Sequence, residues 1–285
     1  MIDRDLVTIH KPLAGRDRNI AVFYLHGGGL LYGERDDLPL PYVNLLTEAG
    51  YTLICADYPL APEYDLPNIV ESVYATWANT VATSLETGTY RAHFLFGRSS
   101  GAYLSLLLTR EIKLRASWGS PIGVLDFYGY HTLCDQALSA PARSYTSLPE
   151  ISLMQVDRIR QPAGTQVTSG PKPMRYALYV YARQHANAWY ELLGLDEHDS
   201  AHSIQAWSLS DEDILNLPPL FITASTGDGD VPFRISKALS RRAQNATMKP
   251  VYYLPHDFDR NPETPEARQV YEQAIDWMGS IVDSN

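Results

Sequence analysis

The sequence predicts an α/β layered fold with a mostly parallel central sheet flanked by helices. Three observations carry this: short apolar runs recur along the chain, several lack polar alternation, and amphipathic helical stripes lie between them. The expected strands are Leu6 to His10, Ile20 to Leu25, Thr52 to Ala56, Phe94 to Phe96, Ile122 to Tyr128, Leu220 to Ala224 and Val251 to Leu254. The first two are joined by a link too short for a helical crossover, so they are expected to pair antiparallel. Ile69, Val73, Trp77 and Val81, with Val70 and Tyr74 beside them, form a helical stripe wide enough to pack on a sheet. Near the end, Thr264 caps a helix opened by Pro265, and Ala267, Val270, Tyr271, Ala274, Trp277, Met278 and Ile281 follow one face.

One stretch breaks the rhythm. Between the runs ending near Tyr128 and beginning at Leu220 there is no strand signal, and a structureless loop of that size is improbable, so helices are expected there. Its aromatic segment, Met174 to Arg183 followed by Trp189 and Tyr190, packs onto the main domain, lines a substrate pocket, or does both.

The 285 residues, 45% of them hydrophobic, suffice to bury a large core. Thirty-three acidic against 23 basic residues give a formal charge of -10, which repels phosphate backbones and anionic lipid surfaces. Neither a nucleic-acid nor a membrane partner is expected. No apolar run approaches the ~18 residues of a membrane span. Met1 to Asp5 opens no secretory signal, so a cytoplasmic protein is expected. Cys55 and Cys134 read as two buried thiols, with one disulfide as the alternative.

The strongest local signal is Gly97-Arg98-Ser99-Ser100-Gly101, between the run Phe94 to Phe96 and the helix-like Ala102 to Leu108. A serine between strand and helix sits on a tight turn, and the glycines give that turn room while exposing the hydroxyl, so Ser99 is the candidate nucleophile. His26-Gly27-Gly28-Gly29 directly follows the run Ile20 to Leu25. Successive glycines let backbone N–H groups converge on an oxyanion, with Gly28, Gly29 and Ser100 as the donors. No Gly-Lys-Ser/Thr follows, which argues against a phosphate cradle. His26 is expected to brace the loop rather than to act as base.

A serine hydroxyl needs a base, and the base an orienting acid. His256 follows the last expected strand, and Asp228 or Asp230 follows the strand Leu220 to Ala224. The order Ser99, acid, His256 is that of a known triad arrangement, with each member beyond the carboxyl end of a strand. His198 and His202, with Glu197 and Asp199 nearby, read as a solvated surface rather than a metal site.

On His26 to Gly29, Asp57-Tyr58-Pro59-Leu60-Ala61-Pro62-Glu63, Gly97 to Gly101, Asp228 to Pro232 and His256, the chain resembles the α/β-hydrolase superfamily. Within it, the chain is similar to the carboxylesterases like hormone-sensitive lipase. Asp57 to Glu63 looks like that family's Asp-Tyr-Arg-Leu-Ala-Pro-Glu segment, with Pro59 in place of the arginine. At the elbow, Arg98, Ser100 and Ala102 depart from the family's usual Gly-Asp-Ser-Ala-Gly-Gly. The resemblance favours Asp228 as the acid, because it stands four residues before Pro232.

It also implies a catalytic domain of residues 1–130 and 217–285. A helical cap, 131–216, would lie between the strands in the sixth and seventh positions of that fold. The implied activity is hydrolysis of small carboxylic esters through an acyl-enzyme, with no metal or organic cofactor and a small-molecule ester as partner. Two other readings remain: a peptidase similar to prolyl oligopeptidase, and a ligand receptor on a hydrolase fold.

Overall fold

In a computed structural model, residues 6–116, 118–196 and 198–284 are described. Met1 to Asp5, read above for a leader, and Glu197, read beside the histidines, lie outside the described residues. The apolar runs become β1 (Val7–His10), β2 (Ile20–Leu25), β3 (Thr52–Ala56), β4 (Ala92–Arg98), β5 (Gly123–Phe127), β6 (Leu220–Ser225) and β7 (Ala246–Val251). They form one sheet in the order β1-β3-β2-β4-β5-β6-β7. Among the described residues only β1 runs antiparallel to its neighbour.

Two expectations need correction here. β1 does not pair with β2; its partner is β3, with Val7 opposite Ala56. β3 lies between them and pairs in parallel with β2 through its other edge. The short link sets the direction of β1 but does not make it a neighbour. The last strand begins earlier than its apolar residues suggest, because Thr247, Lys249 and Pro250 interrupt the apolar signal. Proline is tolerated there because β7 is an edge strand. Tyr252 and Tyr253, expected inside that strand, instead lie exposed beyond it.

The helices cover both faces of the sheet. Along the chain come α1 (Leu40–Glu48), α2 (Leu66–Trp77), α3 (Thr83–Glu86) and α4 (Ser100–Arg115). A π turn, Ala78–Ala82, joins α2 to α3. Between β5 and β6 lie α5 (Gln136–Ser139), α6 (Arg143–Thr146), α7 (Leu153–Ile159), α8 (Lys172–Gln184), α9 (Ala188–Leu192) and α10 (Asp211–Leu215); α11 (Phe233–Arg242) and α12 (Pro265–Ser284) follow.

Alternate residues of β2 feed two cores, as the pleat requires. Ile20, Val22 and Tyr24 pack with α1 and α12, while Ala21, Phe23 and Leu25 pack with α2, α4 and α11. α2 starts where Asp65 accepts a hydrogen bond from the Asn68 amide at 3.0 Å, and it buries Ile69, Val70, Val73 and Trp77. Both cysteines are free thiols; Cys55 is buried, but Cys134 is exposed, because it lies outside the sheet among loop residues. Among the described residues, no helix is long and apolar enough to cross a membrane.

Candidate active site

The turn after β4 places Ser99 in a strained conformation, φ 53° and ψ -119°, at the head of α4. The flanking glycines make this possible by proximity. A Cβ on Gly97 would lie 2.1 Å from the Gly101 backbone, and one on Gly101 would lie 2.1 Å from the Leu25 carbonyl oxygen. The helix therefore starts hard against the sheet, and Ser99 is thrust beyond the strand ends. Its amide is held by the Phe127 carbonyl at 2.8 Å.

β6 and β7 deliver two further groups to the same point. His256 Nε2 lies 2.8 Å from Ser99 Oγ, and His256 Nδ1 lies 2.6 Å from Asp228 Oδ2. An ionised carboxylate only accepts, so Nδ1 is the donor and, in the neutral ring, Nε2 accepts from the serine hydroxyl. The other Asp228 oxygen accepts from the amides of Asp230 and Val231 at 2.8 and 2.9 Å. Ser225 staples the two loops together: its hydroxyl donates to the Leu254 carbonyl at 2.6 Å and accepts from the Leu254 amide at 3.0 Å. Burial works to lower the His256 pKa, but the Asp228 carboxylate outweighs it and pushes the imidazole up to about 9.

Asp230, the other carboxylate considered from sequence, makes no hydrogen bond to the imidazole among the described residues. It accepts from Arg183 at 3.0 Å and from the hydroxyls of Tyr145 and Tyr179 at 2.9 and 2.7 Å.

The glycine loop lies opposite the elbow. A Cβ on Gly27 would come within 3.3 Å of Ser99 Cβ. Gly28 and Gly29 have φ 109° and 62°, values glycine adopts without strain, and their amides have no acceptor among the described residues. Ser100 begins α4, so its amide is one of the first-turn N–H groups that lack an intrahelical acceptor.

The loop is braced from behind, and His26 belongs to that bracing. Its ring is buried and stacks on Tyr58 at 4.2 Å, and its carbonyl accepts from the Tyr58 hydroxyl at 2.8 Å. The remainder of Asp57 to Glu63 serves the same end. Asp57 pairs with Arg35 at 3.0 Å, and the Ala61 amide donates to the Leu30 carbonyl at 2.8 Å. Glu63 accepts from Arg175 at 2.7 Å.

Residues 22–259 match the family described as having an alpha/beta hydrolase fold. The chain belongs to the α/β-hydrolase family. It is similar to an alpha/beta hydrolase superfamily protein from Enterococcus faecalis, with 34% identity over 95% of this chain and 93% of that one and a TM-score of 0.80. It is also similar to a protein of unknown function from Staphylococcus aureus subsp. aureus Mu50, at 32% identity over 96% and 94% of the two chains, TM-score 0.81. An esterase from the bacterial hormone-sensitive lipase family shares the fold at 18% identity over 97% and 85%, TM-score 0.63.

In this α/β-hydrolase, sequence reasoning missed the partners of Arg98. The guanidinium is buried and lies 3.1 Å from Asp259, 3.5 Å from Asp37 and 2.7 Å from the Tyr128 hydroxyl. The signal was an arginine ending an apolar strand, a charge that burial obliges to find a carboxylate. His202 pairs on the surface with Asp199 at 2.7 Å and with Asp65 at 3.5 Å. Among the described residues no group of three His, Cys, Asp or Glu side chains is placed to hold a metal ion.

Proposed function

We propose that the protein is a serine hydrolase that cleaves small carboxylic esters through an acyl-enzyme. The observation that carries this is the relay from Asp228 through His256 to Ser99, at 2.6 and 2.8 Å, opening on a cavity walled by Gly27, Gly28 and Gly29. Ser99 Oγ attacks the ester carbonyl while His256 Nε2 takes its proton and Asp228 holds the ring. The amides of Gly28, Gly29 and Ser100 receive the negative charge on the carbonyl oxygen. His256 then gives its proton to the departing alkoxide, which leaves as the alcohol. Water, deprotonated by the same imidazole, releases the acid and restores Ser99. Helices α5 to α10 act as a cap over the catalytic domain.

The test is Ser99→Ala against p-nitrophenyl acetate, with fluorophosphonate labelling of both proteins. The expected outcome is turnover and labelling of the wild type and loss of both in a folded variant. Unchanged turnover by the variant removes Ser99 from the chemistry. A folded wild type that neither labels nor turns over favours a receptor.

A further inference from the structure

The cavity above Ser99 has about 360 Å³ of space, at the small end of the ~300–1,000 Å³ typical of small-molecule sites. Such sites are ordinarily lined by aliphatic and aromatic side chains with a few polar groups. This one is not. Among the described residues that line it there is no Leu, Ile, Val, Met, Ala, Phe or Trp. Its carbon surface comes from the rings of Tyr32, Tyr128, Tyr145, Tyr176 and Tyr179, with two prolines. Between the rings stand charged and hydrogen-bonding groups, among them Glu34, Lys172 and Arg260. A long acyl chain placed here would meet hydroxyls, carboxylates and ammonium groups between the rings, and would gain less from leaving water than in an aliphatic pocket.

The tyrosines are held so that their faces and edges differ in use. Tyr32 meets Tyr176 edge-on at 5.5 Å and Tyr179 at 5.7 Å, forming a corner of rings. Tyr179 and Tyr145 spend their hydroxyls on Asp230. The Tyr32 hydroxyl has no hydrogen-bond partner among the described residues. Lys172 sits 4.4 Å from the centre of the Tyr176 ring and has no carboxylate partner among the described residues. Flat electron-rich faces for ring C–H groups, beside unspent donors and acceptors for hydroxyls, are what a polyhydroxylated ring requires.

Resting on the ester-hydrolase reading above, we propose that the substrate is a short-acyl ester, an acetate, of a sugar-like polyhydroxylated ring. Hydrolysis breaks the acyl C–O bond, adds the hydroxyl of water to the acetyl carbon and returns the proton to the sugar oxygen. An apolar groove lined by Leu148, Ile151, Ala177 and Val180 lies beside the cavity. It shares Lys172, Pro173, Tyr176 and Arg260 with it, and the octanoate arm below tests whether an acyl chain uses it.

The experiment uses the full-length protein and a matched pair, 6-O-acetylglucose and cyclohexylmethyl acetate, which present the same acetyl and ring size with and without hydroxyls. It adds p-nitrophenyl acetate and octanoate. The expected result is a kcat/KM at least about tenfold higher for the sugar ester than for its apolar match, and acetate preferred over octanoate. Tyr32→Phe and Tyr176→Leu are expected to shrink the sugar-to-cyclohexyl ratio.

Equal or faster turnover of cyclohexylmethyl acetate, a preference for octanoate, or a ratio unmoved by both substitutions overturns the proposal. In each of those cases Ser99-dependent ester cleavage still stands. If no ester, p-nitrophenyl acetate included, is cleaved in a Ser99-dependent way, the ester reading itself falls.

Discussion

Two buried ion networks flank Ser99, and they are built from the same parts for different ends. In the first, Arg98 pairs with Asp259 at 3.1 Å, and Asp259 also accepts from the hydroxyls of Tyr128 and Tyr271 at 2.6 and 2.7 Å. Its members come from the strand before Ser99, the turn after β5, the loop after His256 and α12. It therefore ties the serine turn to the histidine loop. In the second, Asp230 gathers Arg183, Tyr145 and Tyr179, and Arg183 also donates to the carbonyls of Ala137 and Leu138. Its members come from the acid turn and from α5, α6 and α8, so it ties the acid turn to the helical insertion and holds the tyrosine wall. The first network links the Ser99 turn to the His256 loop, and the second supports the tyrosine wall of the cavity.

The sharpest division falls between two carboxylates two residues apart. Asp228→Asn leaves His256 with the wrong tautomer and is expected to lower kcat by about 10,000-fold with the fold intact. Asp230→Asn leaves Arg183 buried without its counter-charge. It is expected to lower stability by roughly 3 kcal/mol in urea titrations while kcat falls by less than about tenfold. A larger kcat loss in Asp230→Asn than in Asp228→Asn would exchange their roles.

The pH profile separates them again. His256 must be neutral to act as base, and its pKa is raised from 6.5 to about 9, so kcat/KM is expected to climb with pH through about 9. Asp228→Asn is expected to move that midpoint down. The linked stability has the opposite sense. Folding favours protonated His256, so this contribution is complete below pH 6.5 and is lost as pH rises through about 9.

Much of the first network's setting was legible in the chain. Gly97 and Gly101 mark the turn because only glycine permits that approach of helix to sheet, and the apolar runs mark the strands because both faces are covered. The partner of Arg98 was not legible: Asp259 is 161 residues away, and nothing in its neighbourhood distinguishes it from a surface acid. The second network was still less so. The periodicity of α8 can be read, but α5 and α6 are single turns, too short to show a face. Which arginine of the insertion meets Asp230 depends on how those pieces stack. β7 escaped for a related reason: an edge strand need not be apolar throughout.

Breaking the cation of each network sharpens the comparison further. Arg98→Met leaves Asp259, a fully buried carboxylate, facing only tyrosine hydroxyls, and is expected to cost about 3–5 kcal/mol of stability. Because that network joins the serine turn to the histidine loop, kcat should fall with it even in the fraction that remains folded. Arg183→Met is expected to destabilise by a similar amount but to act on KM more than on kcat, since what it loosens is the wall. Urea titration with Michaelis kinetics on the folded fraction checks both. The same kcat and KM pattern in the two variants would remove the division of labour.

The smallest effect expected lies where the insertion touches the glycine loop directly. The Trp189 indole N–H donates to the Gly29 carbonyl at 2.9 Å, and the Arg175 guanidinium donates to the Leu31 carbonyl at 2.8 Å. Gly29 and Leu31 are thus held by α9 and α8, while Leu30 between them is held by the Ala61 amide. Trp189→Phe keeps most of the buried ring but deletes the donor, leaving one buried carbonyl unsatisfied, a loss of ~1 kcal/mol. If that bond fixes the plane of the peptide that follows the oxyanion donors, part of the loss appears in the transition state. kcat then falls by up to about fivefold with KM nearly constant, because ground-state binding does not use the donors as the transition state does. If the bond serves packing alone, the same variant loses stability and keeps its kcat, and the insertion acts on the chemistry only through the walls of the cavity.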